Sequence, residues 1–209
     1  VFLTGSAGAG QTYVLNQYIH YLKERKVAVA VTASTGIAAT HMNGMTIHSW
    51  SGIGVKEKLT PANLRSLRSK KYLEKKFDKV QVLIIDEISM LHRTQLELVD
   101  QVLKYFKENQ EPFGGIQLIV CGDFFQLPPI GNPNEKSKDK FAFMSPIWVN
   151  ADFNVCYLTE QYRQEKNELN QLLSEIRAAR ITESSFQKLK ETANNTLEDS
   201  TEPTRLYTH

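Results

Sequence analysis

The sequence predicts an α/β fold in which helices flank a parallel sheet. Its apolar runs, such as residues 27–31 and 80–86, do not alternate with polar residues, which is typical of strands buried on both faces. Segments with helical apolar periodicity, such as residues 12–25 and 93–106, separate these runs. Because strands and helices alternate along the chain, we expect parallel strands joined by right-handed crossovers.

Each element has its own signal in the sequence. The predicted strands are the short apolar runs at residues 1–4, 27–31, 80–86, 116–123 and 154–159. The predicted helices are residues 12–25, a helix beginning at Ile37, and residues 93–106, 167–180 and 184–193. Residues 194–203 are polar and predict a connection. Because residues 1–4 and 203–209 both resemble strands that are cut, we expect the sequence to be a fragment.

Composition limits the possible classes of protein. The 209 residues suit one domain with a small insertion, and 41% are hydrophobic, enough for a core. A net charge of +2 does not by itself indicate a nucleic-acid partner. Cys121 and Cys156 both lie in apolar runs and predict buried, reduced thiols. Without a signal peptide or an apolar run near ~20 residues, we expect an intracellular protein that does not contact membranes.

A glycine-rich loop follows the first predicted strand and opens the first predicted helix. Its sequence, GSAGAGQT, fits the phosphate-binding pattern G-x-x-x-x-G-K-[ST], except that Gln11 replaces the lysine. Backbone N–H groups of such a loop bind phosphate, and Thr12 would offer a hydroxyl to Mg²⁺. A purely structural connection is the alternative. The candidate nucleotide-binding residues are Gly5, Ser6, Ala7, Gly8, Ala9, Gly10, Gln11 and Thr12.

Two further predicted strands are followed by polar residues whose side chains can bind a metal or take part in catalysis. Asp86 and Glu87 follow the strand VLIID, and a carboxylate at the tip of a buried strand is costly unless it binds something. Asp86 is placed to hold Mg²⁺, and Glu87 to deprotonate an attacking water. Gln126 follows the strand LIVC, and its amide can contact a γ-phosphate. The alternatives are capping acids for the pair and a proline-stiffened loop around Gln126.

Other motifs also lie after strands. Arg163 follows the strand NVCYL and is a candidate partner for a γ-phosphate, although a lone arginine is usually a surface residue. The segment TASTG, with Thr35 and Gly36, offers hydroxyl and amide groups suited to phosphodiester contacts. His48, in GMTIHS, would stack or form a hydrogen bond with nucleic acid, or it is a structural histidine.

Positive charge is concentrated in one segment. Residues 56–79 carry nine Lys or Arg and three Asp or Glu, which leaves the rest of the chain negative. Clustered positive charge favours a polyanion partner, with Lys70 and Lys71 as candidate DNA contacts. A solvated surface helix explains the segment nearly as well.

Together, the motifs resemble those of superfamily 1 helicases, specifically the petite-integration-frequency (PIF) family of superfamily 1B, relatives of RecD-type 5′→3′ DNA helicases. The motifs that carry the resemblance are VFLTGSAGAGQT, VTASTGIAAT, GMTIHSWSGIG, VLIIDEISML, VCGDFFQLPP and LTEQYRQ. The closing PTRLYTH also resembles the family's entry into a second motor domain. The resemblance therefore covers residues 1–209 and implies a RecA-like P-loop NTPase domain, with residues 53–79 as a small basic insertion similar to the family's domain 1B.

The resemblance also implies an activity. Members are ATP- and Mg²⁺-dependent motors that move along single-stranded DNA, unwind duplexes 5′→3′, often act on forks or G-quadruplexes, and serve DNA repair, recombination and telomere maintenance. Residues 93–106 occupy the place of the family's signature segment. The roles carried over are phosphate and Mg²⁺ binding for Gly8, Gly10 and Thr12, metal binding for Asp86, base for Glu87, γ-phosphate contact for Gln126 and Arg163, and DNA contact for Thr35 and His48.

Two departures from the family pattern leave alternatives open. Gln11 stands where the family has lysine, and the second RecA-like domain is absent from residues 1–209. We therefore expect a hydrolysis-impaired motor domain, monomeric as a fragment, from a bacterial cytoplasm or nucleoid, or from a nucleus or mitochondrion in a eukaryote. A pseudo-ATPase that binds DNA or nucleotide without turnover is the main alternative. A small nucleotide kinase is disfavoured, because it gives no reason for GD-Q-LPP or LTEQYRQ.

Overall fold

The computed structural model describes residues 1–131, 134–160 and 168–193, which belong to two compact units, Val1–Arg163 and Gln164–His209. The first unit contains a parallel sheet with the strand order β3-β2-β4-β5-β1-β6. Its described strands are β1 (Phe2–Gly5), β2 (Val29–Ala33), β3 (Met45–Thr46), β4 (Val82–Asp86), β5 (Gln117–Cys121) and β6 (Val155–Leu158). Among the described residues, no helix combines the length and apolar character needed to cross a membrane.

Helices connect these strands and cover the sheet. The described helices of the first unit are α1 (Gln11–Glu24), α2 (Gly36–His41), α3 (Ile47–Ser51), α4 (Pro61–Arg68), α5 (Lys71–Lys79), α6 (Arg93–Lys107) and α7 (Pro146–Asn150). The predicted parallel sheet flanked by helices is confirmed. The sequence did not predict the two-residue strand β3 or the short helices α3 and α7, because such brief elements show no periodicity.

The core lies on both faces of the sheet. All five residues of β4 are buried, as its uninterrupted apolar run predicts. On one face, α1 packs through Leu15, Ile19 and Leu22, which recur at helical spacing. The other face carries the larger cluster, which includes one side of α6 and residues of α3, α4 and α5. The central strands are therefore covered on both faces, and polar groups lie at their carboxyl ends.

The basic segment folds as α4 and α5 and joins the larger cluster. Thr60 begins α4 with a capping box, in which its hydroxyl accepts a bond from the Asn63 N–H and the Asn63 side chain accepts one from the Thr60 N–H. In α5, Phe77 is fully buried and contacts the rings of Trp50 and Phe106, with centroid distances of 5.0 and 4.7 Å. These two helices are anchored by apolar side chains, and most of their charges face solvent.

The second unit contributes two described helices, α8 (Glu168–Arg177) and α9 (Glu183–Thr192). Thr182 begins α9, and its hydroxyl accepts a bond from the Ser185 N–H at 3.3 Å. The Glu175 carboxylate accepts bonds from the N–H and hydroxyl of Thr182, at 2.9 and 3.0 Å, so the turn between the helices is fixed by side chains. Both helices lie where the sequence predicts them.

The prediction for one cysteine is wrong. Cys121 is buried in β5, as expected, whereas Cys156 in β6 is exposed. The described part of the sheet places β6 at an edge, paired only with β1. An apolar run therefore did not guarantee burial. Side chains of a strand point to the two faces of the sheet, and Val155 and Tyr157 of this edge strand are exposed as well, so the described residues leave its faces uncovered.

Candidate functional site

The phosphate loop connects β1 to α1 at the carboxyl edge of the sheet. Gly8 and Gly10 have φ values of 84° and 82°, a left-handed conformation that glycine adopts without steric cost. Gly10 is the N-cap of α1 and offers no side-chain bond to the first turn. The N–H groups of that turn, together with the helix dipole, therefore present partial positive charge to the loop. The structure thus places residues 5–12 where an anion site is expected, and their binding role remains a prediction.

The side chain of Gln11 links the two ends of this loop through a hydrogen bond. Its side-chain amide nitrogen, Nε2, donates a hydrogen bond to the carbonyl oxygen of Gly5 at 2.8 Å. Its amide oxygen, Oε1, lies 3.9 Å from the Sγ atom of Cys121, the last residue of β5. The Gln11 amide therefore bonds the backbone of the loop itself. Because it is neutral, it supplies none of the positive charge that a lysine would bring to the β- and γ-phosphates.

Asp86 ends β4 in a buried position, with 8% of its surface exposed. Its carboxylate accepts bonds from the Glu87 N–H, at 2.9 Å, and from the Cys121 thiol. Burial raises the pKa of Asp86, and burial together with Asp86 raises the pKa of Cys121. Cys121 thus contacts both Gln11 and Asp86, and it connects the phosphate loop to the tip of β4.

Glu87 follows Asp86 in a left-handed backbone conformation, with φ of 53°. This conformation is uncommon for a residue with a side chain, and it is held by Ser34, whose hydroxyl donates to the Glu87 carbonyl at 2.7 Å. Burial raises the pKa of the Glu87 carboxyl, and the nearby carboxylates of Asp86 and Asp123 raise it further. Three acidic groups are thus gathered at the ends of β4 and β5, where a cation would relieve their repulsion.

Gln126 is held by Asp123, a residue to which the sequence assigned no role. Asp123 is 1% exposed, and its carboxylate accepts bonds from the Phe125 N–H at 3.1 Å and from Gln126 Nε2 at 3.5 Å. Gln126 and Glu87 line the same cavity of about 720 Å³, together with Thr35. The structure therefore brings two of the three predicted catalytic residues together. The third, Arg163, lies outside the described residues.

A second cavity, of about 530 Å³, contains two of the predicted DNA-binding residues, Thr35 and His48. Thr35 begins α2, and its hydroxyl accepts a bond from the Ala38 N–H at 3.3 Å. Burial lowers the pKa of His48, so the imidazole is neutral near pH 7 and can form hydrogen bonds or stack, but brings no charge. Gly36, the first residue of α2, lies directly beside Thr35.

The basic residue that lines this second cavity is Lys58, which the sequence did not single out. Lys70 and Lys71 lie at the start of α5, are exposed, and are not among the lining residues. Their position therefore supports a separate basic surface, and contact with DNA remains a prediction for both. Only the general positive charge of residues 56–79 pointed to Lys58.

Comparison with known proteins identifies the family. A family model described as PIF1-like helicase matches residues 1–191, which is most of the chain. The chain belongs to the PIF1-like helicase family. The resemblance drawn from the motifs is thereby confirmed.

The relatives carry names that agree with this family. A protein named "ATP-dependent DNA helicase Pif1", from Psychrobacter sp. (strain PRwf-1), is 55% identical over 217 residues, which cover 100% of this chain and 33% of the relative. A protein named "ATP-dependent DNA helicase RRM3", from Saccharomyces cerevisiae, is 38% identical over 211 residues, covering 99% of this chain and 29% of the relative. The chain thus spans about a third of the length of these PIF1-like helicases.

Solved structures of PIF1-like helicases share the fold. A crystal structure of Pif1 helicase from Candida albicans matches with a TM-score of 0.83 and 33% identity, covering 96% of this chain and 45% of that one. A crystal structure of Pif1 helicase from Bacteroides in complex with ADP-AlF3 and ssDNA matches with a TM-score of 0.79 and 33% identity, covering 95% and 47%. The predicted RecA-like fold is therefore confirmed.

Proposed function

We propose that the chain is the first motor domain of an ATP-dependent DNA helicase, which couples ATP hydrolysis to movement along single-stranded DNA. The observation that carries the proposal is the meeting of the phosphate loop, Asp86, Glu87 and Gln126 at one edge of the sheet. Family membership supports it, because the named relatives are ATP-dependent DNA helicases. Since the chain spans about a third of those relatives, the activity is proposed for the full-length gene product.

Thr12 and Asp86 would hold Mg²⁺ in this site. Among residues 1–131, 134–160 and 168–193, no group of three His, Cys, Asp or Glu side chains forms a complete metal site. Mg²⁺ does not need one, because it is commonly held by one or two carboxylates together with substrate phosphates and water. The buried carboxylate of Asp86, whose pKa is raised by burial, gains a counter-charge in this way. When bound, the metal would neutralise charge on the phosphoryl oxygens.

Glu87 would act as the base that orients and deprotonates water. Its raised pKa brings it closer to neutral pH, which suits a group that must take up and release a proton. Gln126, which is held by Asp123 and lines the same cavity as Glu87, would contact the γ-phosphate. Arg163 would add a positive charge there, by the role that the family implies.

The catalytic assignment is tested in a form that restores lysine at position 11. In the full-length gene product carrying Gln11→Lys, adding Glu87→Gln should lower DNA-stimulated ATP hydrolysis by about 10²–10⁴-fold, because a general base is removed. Glu24→Gln, an exposed glutamate at the end of α1, is the matched control and should leave the rate unchanged. A rate that survives Glu87→Gln would contradict the role of Glu87.

A nucleotide-binding module without turnover is the second candidate, and Gln11 favours it. The Gln11 amide bonds the loop's own backbone and brings no charge, so hydrolysis should be severely impaired while the loop amides can still bind phosphate. The two candidates differ in what lysine at position 11 restores. A motor domain regains DNA-stimulated hydrolysis, whereas a protein long specialised for binding does not.

The DNA would be single-stranded and would pass along the cavity that contains Thr35, His48 and Lys58. Hydroxyl, imidazole and ammonium groups suit contacts to phosphodiesters and bases. The Bacteroides relative was solved with ssDNA, which supports this assignment. Fork and G-quadruplex substrates, 5′→3′ polarity, and a location in the bacterial nucleoid, or in a nucleus or mitochondrion in a eukaryote, follow from the family resemblance and are part of the proposal.

A further inference from the structure

A pair of polar side chains joins the start of α6 to the chain that follows Gln126. The His92 ring nitrogen Nε2 lies 2.8 Å from the Glu135 carboxylate oxygen Oε2, and both side chains are 15% exposed. The other ring nitrogen, Nδ1, accepts the Thr94 N–H at 3.2 Å, so the imidazole is also the N-cap of α6. Because Nδ1 is an acceptor, the ring proton lies on Nε2 and is donated to Glu135.

Backbone contacts lie beside the His92–Glu135 pair. The Arg93 N–H donates to the Lys140 carbonyl at 3.0 Å, and His92 pairs with Phe141 in an isolated antiparallel bridge. The chain that follows Gln126 is therefore attached to the start of α6 by main-chain and side-chain contacts. The main-chain contacts do not depend on the identity of a side chain, so substitutions at the pair test the side-chain contact alone.

Glu135 supports one wall of the proposed DNA cavity, the cavity of about 530 Å³. Residues 128–130 line this cavity, and residues 127–131 belong to no helix or strand. No regular ladder of backbone bonds holds this wall, so its position depends on what it packs against. A Cβ atom at Gly131 would lie 3.1 Å from Glu135 Oε2, so the backbone that follows Ile130 packs directly against the carboxylate.

We propose that His92 and Glu135 are positioning residues for single-stranded DNA, because together they hold the wall formed by residues 128–130. The inference rests on the proposed DNA cavity. His92 also lines this cavity, whereas Glu135 is not among its described lining residues. A carboxylate repels a phosphodiester, so Glu135 acts through the wall that it supports at Gly131, and His92 keeps the carboxylate in place.

The negative charge of Glu135 separates a positioning role from an electrostatic one. If the charge alone mattered, Glu135→Ala would strengthen DNA binding, because a repulsive group near a polyanion is removed. If Glu135 supports the wall, the same substitution weakens binding. Glu135→Gln removes the charge but keeps an oxygen that accepts the His92 proton. It should therefore bind DNA at least as tightly as the unmodified protein.

Fluorescence anisotropy of the full-length gene product with single-stranded DNA tests the pair. His92→Asn keeps an N-cap acceptor for the Thr94 N–H but is too short to reach Glu135, so it removes the pair and keeps the start of α6. His92→Asn and Glu135→Ala should each weaken binding by about tenfold, the scale of one hydrogen bond to a charged group. The double variant should be no weaker than either single one, because both remove the same interaction.

An exposed pair on α1 provides the matched control. His20 Nε2 lies 3.2 Å from Glu24 Oε1, and His20→Asn and Glu24→Ala should bind DNA like the unmodified protein. Unchanged or tighter binding by Glu135→Ala would overturn the proposed role. A double variant weaker than both single variants would also overturn it, since His92 would then contact DNA independently of Glu135.

Lys58→Glu distinguishes failure of the pair from failure of the cavity, because Lys58 lines the cavity itself. If Lys58→Glu weakens binding and the substitutions of His92 and Glu135 do not, the pair has no positioning role and the DNA cavity stands. If Lys58→Glu also leaves binding unchanged, the proposed DNA cavity fails, and the role of the pair fails with it.

Discussion

At the scale of single residues, two buried aspartates differ in their partners. Asp100 is paired: its carboxylate accepts a bond from the Phe113 N–H at 2.7 Å and lies 2.9 Å from Lys104 Nζ. Asp86 accepts a bond from the Cys121 thiol and one from a backbone N–H, neither of which carries positive charge, and burial raises its pKa. The charge of Asp86 therefore costs stability until a cation binds, whereas that of Asp100 is compensated within the protein.

Substituting each aspartate should therefore have opposite effects on stability. Asp86→Asn should raise the free energy of unfolding of the nucleotide-free protein and remove the Mg²⁺ dependence of nucleotide binding. Asp100→Asn should lower the free energy of unfolding by about 1–3 kcal/mol, because Lys104 and the Phe113 amide are left without a charged partner. Urea denaturation and calorimetry with and without Mg²⁺ measure both. A destabilised Asp86→Asn would mean that the carboxylate is structural.

Lys76, in the basic segment, is half-buried, unlike Lys70 and Lys71, which are exposed. Its ammonium group donates to the Trp50 carbonyl and lies 5.0 and 4.7 Å from the ring centroids of Trp50 and Phe77, and burial lowers its pKa to about 8. The charge pattern of residues 56–79 does not distinguish it from its exposed neighbours. Trp50 belongs to α3, well separated along the chain, so no local pattern could show that interaction.

The lowered pKa of Lys76 predicts a pH dependence of stability. The ordinary lysine pKa is 10.5, so between pH about 8 and 10.5 the unfolded chain holds a proton that the folded protein has released. Stability rises with pH wherever the unfolded state binds more protons, so this contribution should grow across that window. Urea denaturation at pH 7, 9 and 10 should show the rise, and Lys76→Met should remove it. The same slope in Lys76→Met and in its exposed neighbour's variant, Lys75→Met, would contradict this account.

At the scale of elements, α5 shows how one helix divides its side chains. Leu73 and Phe77 recur at i and i+4 and are buried, whereas Lys70, Lys71 and Lys75 are exposed. Helical periodicity therefore predicts the buried face correctly. It does not predict that Lys70 and Lys71 lie outside the lining of the cavity that contains Thr35 and His48, because that depends on how α4 and α5 pack against α6.

Charge reversal on this helix tests whether its surface binds DNA. Lys70→Glu combined with Lys71→Glu should weaken single-stranded DNA binding at low salt and reduce the slope of log affinity against log salt by about 0.7 for each phosphate that is no longer neutralised. Lys23→Glu combined with Lys26→Glu, at the other end of α1 from the phosphate loop, is the matched control. Fluorescence anisotropy across a salt series measures both. Unchanged affinity would identify the surface as a solvated face.

At the scale of the whole molecule, the sequence predicts that polar motifs meet at one edge of a parallel sheet. Glu87 and Gln126 do line one cavity, because parallel strands all end at the same edge. The sequence did not predict contacts that depend on the order of the strands in the sheet. Cys121 contacts both Gln11 and Asp86 only because β5 lies between β1 and β4.

We propose a helicase motor domain whose ATP hydrolysis is limited by one residue, Gln11. The most direct measurement is ATP hydrolysis stimulated by single-stranded DNA, compared between the full-length gene product with Gln11 and the same protein with Gln11→Lys. Removal of one preorganised donor costs about 10²–10³ in rate, and removal of a full charge should cost at least as much. We therefore predict that Gln11→Lys raises the rate by at least about 10²-fold. Equal rates in the two forms would contradict the account.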